Sequence, residues 1–212
     1  RGGREVAIRP EMTPTISRMV AARRQEMPYP ARLYSIANYM RYERPQRGRE
    51  REFWQLNLDI FGVDSIQADV EIISYGDQML KAFGASSDMY TIRINNRKVI
   101  NIMMHEYLGL SEVQSQLMMK LFDRKNKISS EDFRDQAIEI FGQVNAQAGL
   151  KKVSELLLIK SFDTLPAELL ANEDIAELKE LFAMLKKSGV SNARFDITLM
   201  RGLDYYTGTV FE

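Results

Sequence analysis

The chain has 212 residues and a mass of 24.5 kDa, room for one large domain or two small ones. Its 29 Lys and Arg balance 29 Asp and Glu, which excludes a whole-molecule electrostatic attraction to nucleic acid or membrane but leaves a local basic patch open. The absence of cysteine excludes disulfide scaffolds, thiolate zinc sites and cysteine nucleophiles, and a single histidine excludes a multi-histidine metal centre.

Arg4 to Arg9 alternates, with Val6 and Ile8, and predicts a short strand. Thr13 followed by Pro14 predicts an N-cap and first helical position, with a helix to about Glu26 that Pro28 and Pro30 end. Leu33 to Tyr42 and Phe53 to Gly62 read as two strands of one long antiparallel hairpin, its tip spanning Pro45 to Glu52. In the second strand Trp54, Leu56, Leu58 and Ile60 share one face, and Phe53, Gln55, Asn57 and Asp59 share the other. Gln55 and Asp59 then lie roughly 13 Å apart at about 3.3 Å per residue.

A helix is predicted from Gln67 to Phe83 and a strand from Met89 to Asn95. Helices follow: Val99 to Leu108, one capped by Ser111 running to about Phe122, one opened by Ser129, then Val153 to Ile159 and Asp174 to Lys187. Strand character returns at Arg194–Met200 and Thr207–Glu212. The last strands need a sheet to join, and the sheet available lies before the helical block. The expected organisation is therefore α+β, an antiparallel sheet flanked by helices, with residues 105–189 inserted between core segments 1–104 and 190–212. The chain opens Arg1-Gly2-Gly3 without methionine and stops inside a strand pattern, which reads as an interior piece of a longer protein. No run of 18 apolar residues or secretory leader pattern is present, so no membrane partner and a cytoplasmic location are expected.

Arginines at 41, 44, 47, 49 and 51 alternate with acids at 43, 50 and 52. Such a stretch is either a solvated hairpin tip or an anion clamp, because a guanidinium is a rigid fork of donors matched to phosphate and carboxylate. Arg41 lies before the tip and shares parity with the small residues Ser35 and Ala37, which leave room above the sheet. Arg201-Gly202 is either a bent strand end or a second guanidinium beside a glycine that permits close approach. Tyr205-Tyr206 is either packing or a hydroxyl that grips a small ligand opposite Asp59. His105 reads as structural or surface, the twelve methionines as core filler, and no phosphate-binding loop or dinucleotide fingerprint occurs. If ATP binds, it does so on a sheet.

Three stretches carry a family resemblance. Arg9-Pro10-Glu11-Met12-Thr13 and Arg41-Tyr42-Glu43-Arg44-Pro45-Gln46-Arg47-Gly48-Arg49 through Phe53-Trp54-Gln55 resemble elements of class II aminoacyl-tRNA synthetases, the latter motif 2. Leu199-Met200-Arg201-Gly202-Leu203-Asp204-Tyr205-Tyr206-Thr207-Gly208-Thr209-Val210-Phe211-Glu212 resembles the histidine-specific element of the histidyl-tRNA synthetase family.

The resemblance implies that Glu11, Thr13 and Gln55 hold the α-amino group of L-histidine, and that Asp59 and Tyr206, with Tyr205 beside them, bind its imidazole. It implies Arg41 on the carboxylate and the α-phosphate of ATP, Arg201 as the second α-phosphate ligand, and Glu43 and Phe53 facing adenine. Asp59 stands where the bacterial pattern often has Glu. Mg²⁺ would accompany ATP, no protein metal site is implied, tRNA(His) would accept the histidyl group, and the intact protein would be a homodimer. Motif 1, motif 3 and the anticodon-binding domain fall outside this sequence. The rival is a non-catalytic relative, the regulatory subunit of ATP phosphoribosyltransferase, which need not keep both arginines. A nucleic-acid-binding module using the arginine-rich hairpin leaves the polar strand face and the Arg201 element unexplained. The insertion would either cap the acceptor stem or cover the pocket.

Overall fold

The computed structural model describes residues 3–201 and 205–212, arranged as two compact units, residues 1–68 and 69–212.

In the first unit, α1 (Thr13–Ala22) precedes the hairpin strands β1 (Ala31–Met40) and β2 (Glu52–Phe61). The expected strand at residues 4–9 does not form. Val6 is 87% and Ile8 67% exposed, so alternation without a neighbouring strand secures no burial, and only Arg9 reaches the hairpin, accepting from the Met40 amide at 3.2 Å. Thr13 is the first helical residue rather than the cap. Met12 takes the cap position without a side-chain bond, its carbonyl accepting from Thr15 and Ile16. α1 stops at Ala22, short of Glu26, where a turn bond from the Glu26 amide to Arg23 takes over.

The antiparallel register pairs Ser35 with Asn57, Ala37 with Gln55 and Tyr39 with Phe53, so Ser35, Ala37 and Tyr39 share the polar face of β2. Strand β1 ends at Met40, yet Arg41 still donates its amide to the Arg51 carbonyl at 2.8 Å. The tip turns through the Gln46–Arg49 bridge, with Gly48 at φ 76°, a backbone region that L side chains avoid. On the other face Tyr34, Ile36 and Trp54 are exposed.

The second unit holds the rest of α2 (Ile66–Ala82), then β3 (Ile92–Asn96), α3 (Arg97–Ile102), α4 (Glu112–Arg124), α5 (Ser130–Phe141), α6 (Ala146–Leu157), α7 (Ala167–Leu170), α8 (Glu173–Lys187), β4 (Ala193–Phe195) and β5 (Thr209–Phe211). A π-helical turn over Met103–Tyr107 continues α3. Its amphipathic helices bury one stripe each, and Met103, Met104, Met118, Leu121, Leu156, Leu178, Leu181 and Leu185 form a dry core. Gly149 lies against the Phe141 ring, where a Cβ would sit 2.5 Å from it, so the lack of a side chain sets the close approach of α6 to the end of α5. His105 is tied down as expected, its Nδ1 3.0 Å from the Leu110 carbonyl.

Ser111 caps α4 through a capping box with Gln114. Ser111→Ala is expected to cost about 1 kcal/mol of stability, read as a lower urea midpoint with unchanged slope. Ser129 caps α5 through its hydroxyl oxygen, which accepts from the Asp132 amide at 3.0 Å.

The second sheet has order β4–β3–β5. The late strands thus join the strand before the helical block, as expected, but β4 pairs parallel with β3 and only β5 is antiparallel. The long strand predicted from Arg194 to Met200 is cut short after Phe195. There the Asp196 carboxylate accepts from the Thr198 amide at 2.9 Å and replaces the ladder by a turn. Fully buried Asn95 donates to the carbonyls of Ile197 (3.2 Å) and Leu199 (3.3 Å), fixing the segment that leads to Arg201.

Candidate functional site

In the first unit, the polar face of β2 and the chain around Pro10 build a polar site. Arg41 donates through Nε to the Pro10 carbonyl at 3.0 Å and approaches Gln55 Oε1 through Nη2 at 3.5 Å. Its guanidinium carbon lies 4.9 Å from the centre of the Phe53 ring, within cation–π range. Three contacts of different kinds therefore set one orientation of an otherwise exposed arginine.

Gln55 donates onward to Asn57 Oδ1, and Asn57 Nδ2 reaches Thr13 Oγ1 at 3.5 Å. Arg41, Phe53, Gln55 and Thr13 are thus brought together. Asn57 was not among the expected site residues, although its parity with Gln55 and Asp59 places it on the same face. It is the link between the floor and the start of α1.

Asp59 stands further along that face. Its Oδ2 is buried with no hydrogen-bond partner among the described residues, and burial raises its carboxyl above the usual range. Ser35 Oγ and Tyr39 Oη, on the same face, are buried and unpartnered in the same sense. Unmet polar atoms of this kind cost stability and mark a surface shaped for something polar. Glu11 is exposed just ahead of α1, with no hydrogen bond or ion pair among the described residues. Glu43 is engaged at the hairpin tip, 3.1 Å from Arg49, while its carbonyl accepts from Arg51 at 3.2 Å.

In the second unit, Arg201 follows the buried Ile197, Leu199 and Met200. It grips the Glu212 carboxylate with Nη2 and, at 3.2 Å, with Nε. The hydrogen bond from Arg201 holds the Glu212 carboxyl below its ordinary value, and the same bond pushes the Arg201 guanidinium up. Tyr205 and Tyr206 meet edge to face at 4.7 Å, both exposed. Gly202, with Leu203 and Asp204 of the same element, lies outside the described residues.

Among the described residues no three His, Asp or Glu side chains cluster as metal ligands. Among the described residues, too, no helix is long and apolar enough to cross a membrane.

The whole sequence, residues 1–212, matches the family described as histidyl-tRNA synthetase. It is 40% identical over 215 residues to a histidine–tRNA ligase of Leptospira biflexa, covering 100% of this chain and 48% of that protein. It is 39% identical over 219 residues to one from Opitutus terrae, covering 100% of this chain and 49% of that protein. Among solved structures, one described as an ATP phosphoribosyltransferase regulatory subunit/histidyl-tRNA synthetase from Bacillus halodurans superposes with a TM-score of 0.77 at 25% identity, covering 96% of this chain and 53% of that one. The fold is thus the class II synthetase type, and the chain spans about half the length of the curated relatives it matches. With a match that runs over residues 1–212 and relatives at 39–40% identity along the whole sequence, the chain belongs to the histidyl-tRNA synthetase family.

Proposed function

We propose that the full-length protein is a histidine–tRNA ligase. It activates L-histidine with ATP to histidyl-adenylate and pyrophosphate, then passes the histidyl group to the terminal ribose of tRNA(His). The observation that carries this reading is Arg41, locked over Phe53 by the Pro10 carbonyl and lying beside Gln55.

In the first step a carboxylate oxygen of histidine attacks the α-phosphorus of ATP. The bond to the bridging oxygen breaks, and pyrophosphate leaves with that electron pair. The nucleophile is already anionic, so no general base is required. The residues act by positioning and by meeting the charge that builds on the α-phosphate. Arg41 and Arg201 are the catalytic residues in this proposal, Arg41 also steadying the carboxylate. Glu11, Thr13 and Gln55 take the α-amino group, with Asn57 holding Gln55 and Thr13 in line. Phe53 and Glu43 face adenine.

Asp59, Tyr205 and Tyr206 take the imidazole. Asp59 Oδ2, without a hydrogen-bond partner among the described residues, suits a ring N–H donor. Mg²⁺ would accompany the phosphates of ATP and supply charge neutralisation there.

The core would comprise residues 1–104 and 190–212, with 105–189 as a helical insertion. The intact protein would be a cytoplasmic homodimer. The exposed apolar face bearing Tyr34, Ile36 and Trp54 is a surface suited to burial in such an assembly.

Histidine-dependent exchange of pyrophosphate into ATP by the full-length protein tests the proposal. Exchange with histidine only is expected. Its absence at saturating substrates would favour the regulatory-subunit reading, whose name the Bacillus halodurans structure also bears. RNA binding without exchange would favour a binding module.

Asp59→Asn is expected to weaken histidine more than ATP, read as a rise in KM for histidine alone. An equal rise for both counts against an imidazole contact. The same variant has a stability signature. The raised carboxyl binds more protons folded than unfolded, so the wild type loses stability as pH climbs from the unfolded value of 3.8 through the higher folded one. Without substrate, Asp59→Asn should therefore match or exceed the wild-type melting temperature at neutral pH. The gain should disappear below the ordinary carboxylate range.

A further inference from the structure

Arg201 is a side chain of the second unit whose orientation has to be set by something, because a free arginine samples many rotamers. Its own strand does not set it: β4 ends at Phe195, and Arg201 lies beyond the turn that follows. The group that holds it is Glu212. Arg201 grips the Glu212 carboxylate with two nitrogens, a fork matched to two carboxylate oxygens.

Glu212 is itself fixed on two sides. Its backbone exchanges both hydrogen bonds with Arg93, amide to carbonyl at 2.9 Å and carbonyl from amide at 2.8 Å. This is one further rung on the β3–β5 ladder, so the two side chains stand on the same face of the sheet. Arg93 Nη2 then donates to Glu212 Oε2 at 2.6 Å, while Arg93 Nη1 reaches Asp196 Oδ2 at 3.2 Å. Asp196 holds the turn that leads to Arg201 through the Thr198 amide and hydroxyl. The chain Asp196–Arg93–Glu212–Arg201 therefore closes on itself: the residue that shapes the turn and the residue that grips the guanidinium share one arginine on the central strand.

We propose that Glu212, braced by Arg93, is the positioning residue of Arg201, holding its guanidinium in the pose used on the α-phosphate. The inference rests on the role assigned above to Arg201 and adds a residue to that site. A stability role explains the arrangement less well. Side chains on both sides of the Arg201–Glu212 and Arg93–Glu212 pairs are 40% or more exposed, and ion pairs with such access to water contribute little to folding. What the network does is fix a direction. Glu212 leaves Arg201 Nη1 outside the pair, and a carboxylate held below its usual range stays charged throughout neutral conditions.

The test is a double-mutant cycle in the full-length protein, read by histidine-dependent pyrophosphate exchange. Glu212→Ala is expected to lower kcat by roughly 10-fold to 10²-fold, the scale of a misplaced catalytic group. KM for histidine should stay within about twofold, since an interaction made in the transition state is what is lost. Glu212→Gln keeps one acceptor oxygen and similar volume, so it should fall between Ala and wild type, and its melting temperature reports that the fold is intact. The double variant Arg201→Ala/Glu212→Ala should be no slower than Arg201→Ala within about twofold, because both changes remove one function.

Multiplying losses would show that Glu212 acts independently of Arg201 and would overturn the proposal. So would an unchanged or raised kcat in folded Glu212→Gln and Glu212→Ala, the raised value marking Glu212 as a brake. If Arg201→Ala were itself silent, the assignment of Arg201 would fail first, which the same data set separates from a failure confined to Glu212.

Discussion

Arg41→Ala is expected to lower histidine-dependent pyrophosphate exchange by ~10²-fold or more in the full-length protein, the scale seen when a preorganised donor to developing negative charge is removed. The expectation comes from how completely the side chain is oriented before substrate arrives. Nε is spent on the Pro10 carbonyl, the plane lies over Phe53 and Nη2 is close to Gln55, so little reorganisation is left for the reaction step. Arg41→Lys should restore little. An ammonium is a point charge, and it cannot donate to Pro10 and present a planar fork from the same position. KM for ATP and kcat measured together check the assignment. A loss confined to KM would make Arg41 a binding group and remove it from charge stabilisation.

Arg201→Ala is the second large effect, again ~10²-fold or more in the rate of adenylate formation. A loss below threefold would take Arg201 out of the mechanism. The two arginines are built differently. Arg41 is held by a backbone carbonyl and a ring, whereas Arg201 is held by a carboxylate. Loss of Arg201 leaves Glu212 with Arg93 as its remaining partner, so the carboxylate stays paired and the fold should tolerate the change. A near-wild-type melting temperature beside a large kinetic loss is the expected combination.

Several features are legible in the sequence. The face shared by Phe53, Gln55, Asn57 and Asp59 follows from the two-residue period of a strand, which no partner can alter. The starts of α4 and α5 were legible because Ser111 and Ser129 satisfy orphan amides with their own side chains. Arg41 and Arg201 were legible as residues but not as poses. What holds them is Pro10, 31 positions away, and Glu212, eleven positions away, and no local pattern encodes either contact.

The misread segments failed for the same kind of reason. Residues 4–9 alternate like a strand, but alternation stabilises only where a neighbouring strand offers hydrogen bonds and cover, and Val6 and Ile8 have neither. The stretch after Phe195 is rich enough in apolar residues to continue a strand. Asp196 and Asn95 instead satisfy its backbone in a turn, while Ile197, Leu199 and Met200 are buried all the same.

By itself the sequence determined the α+β class, the polarity of the β2 face, the capped helices and the presence of two guanidiniums with a family signature around them. Those properties depend on period, capping and residue chemistry, which act over a few positions. Only the tertiary structure decided that β4 runs parallel to β3, that Asn57 joins Thr13 to the floor, and that Arg93 and Glu212 stand behind Arg201. Each of these requires distant segments to meet. Which of several chemically adequate partners they find is settled by chain closure and burial across the whole fold.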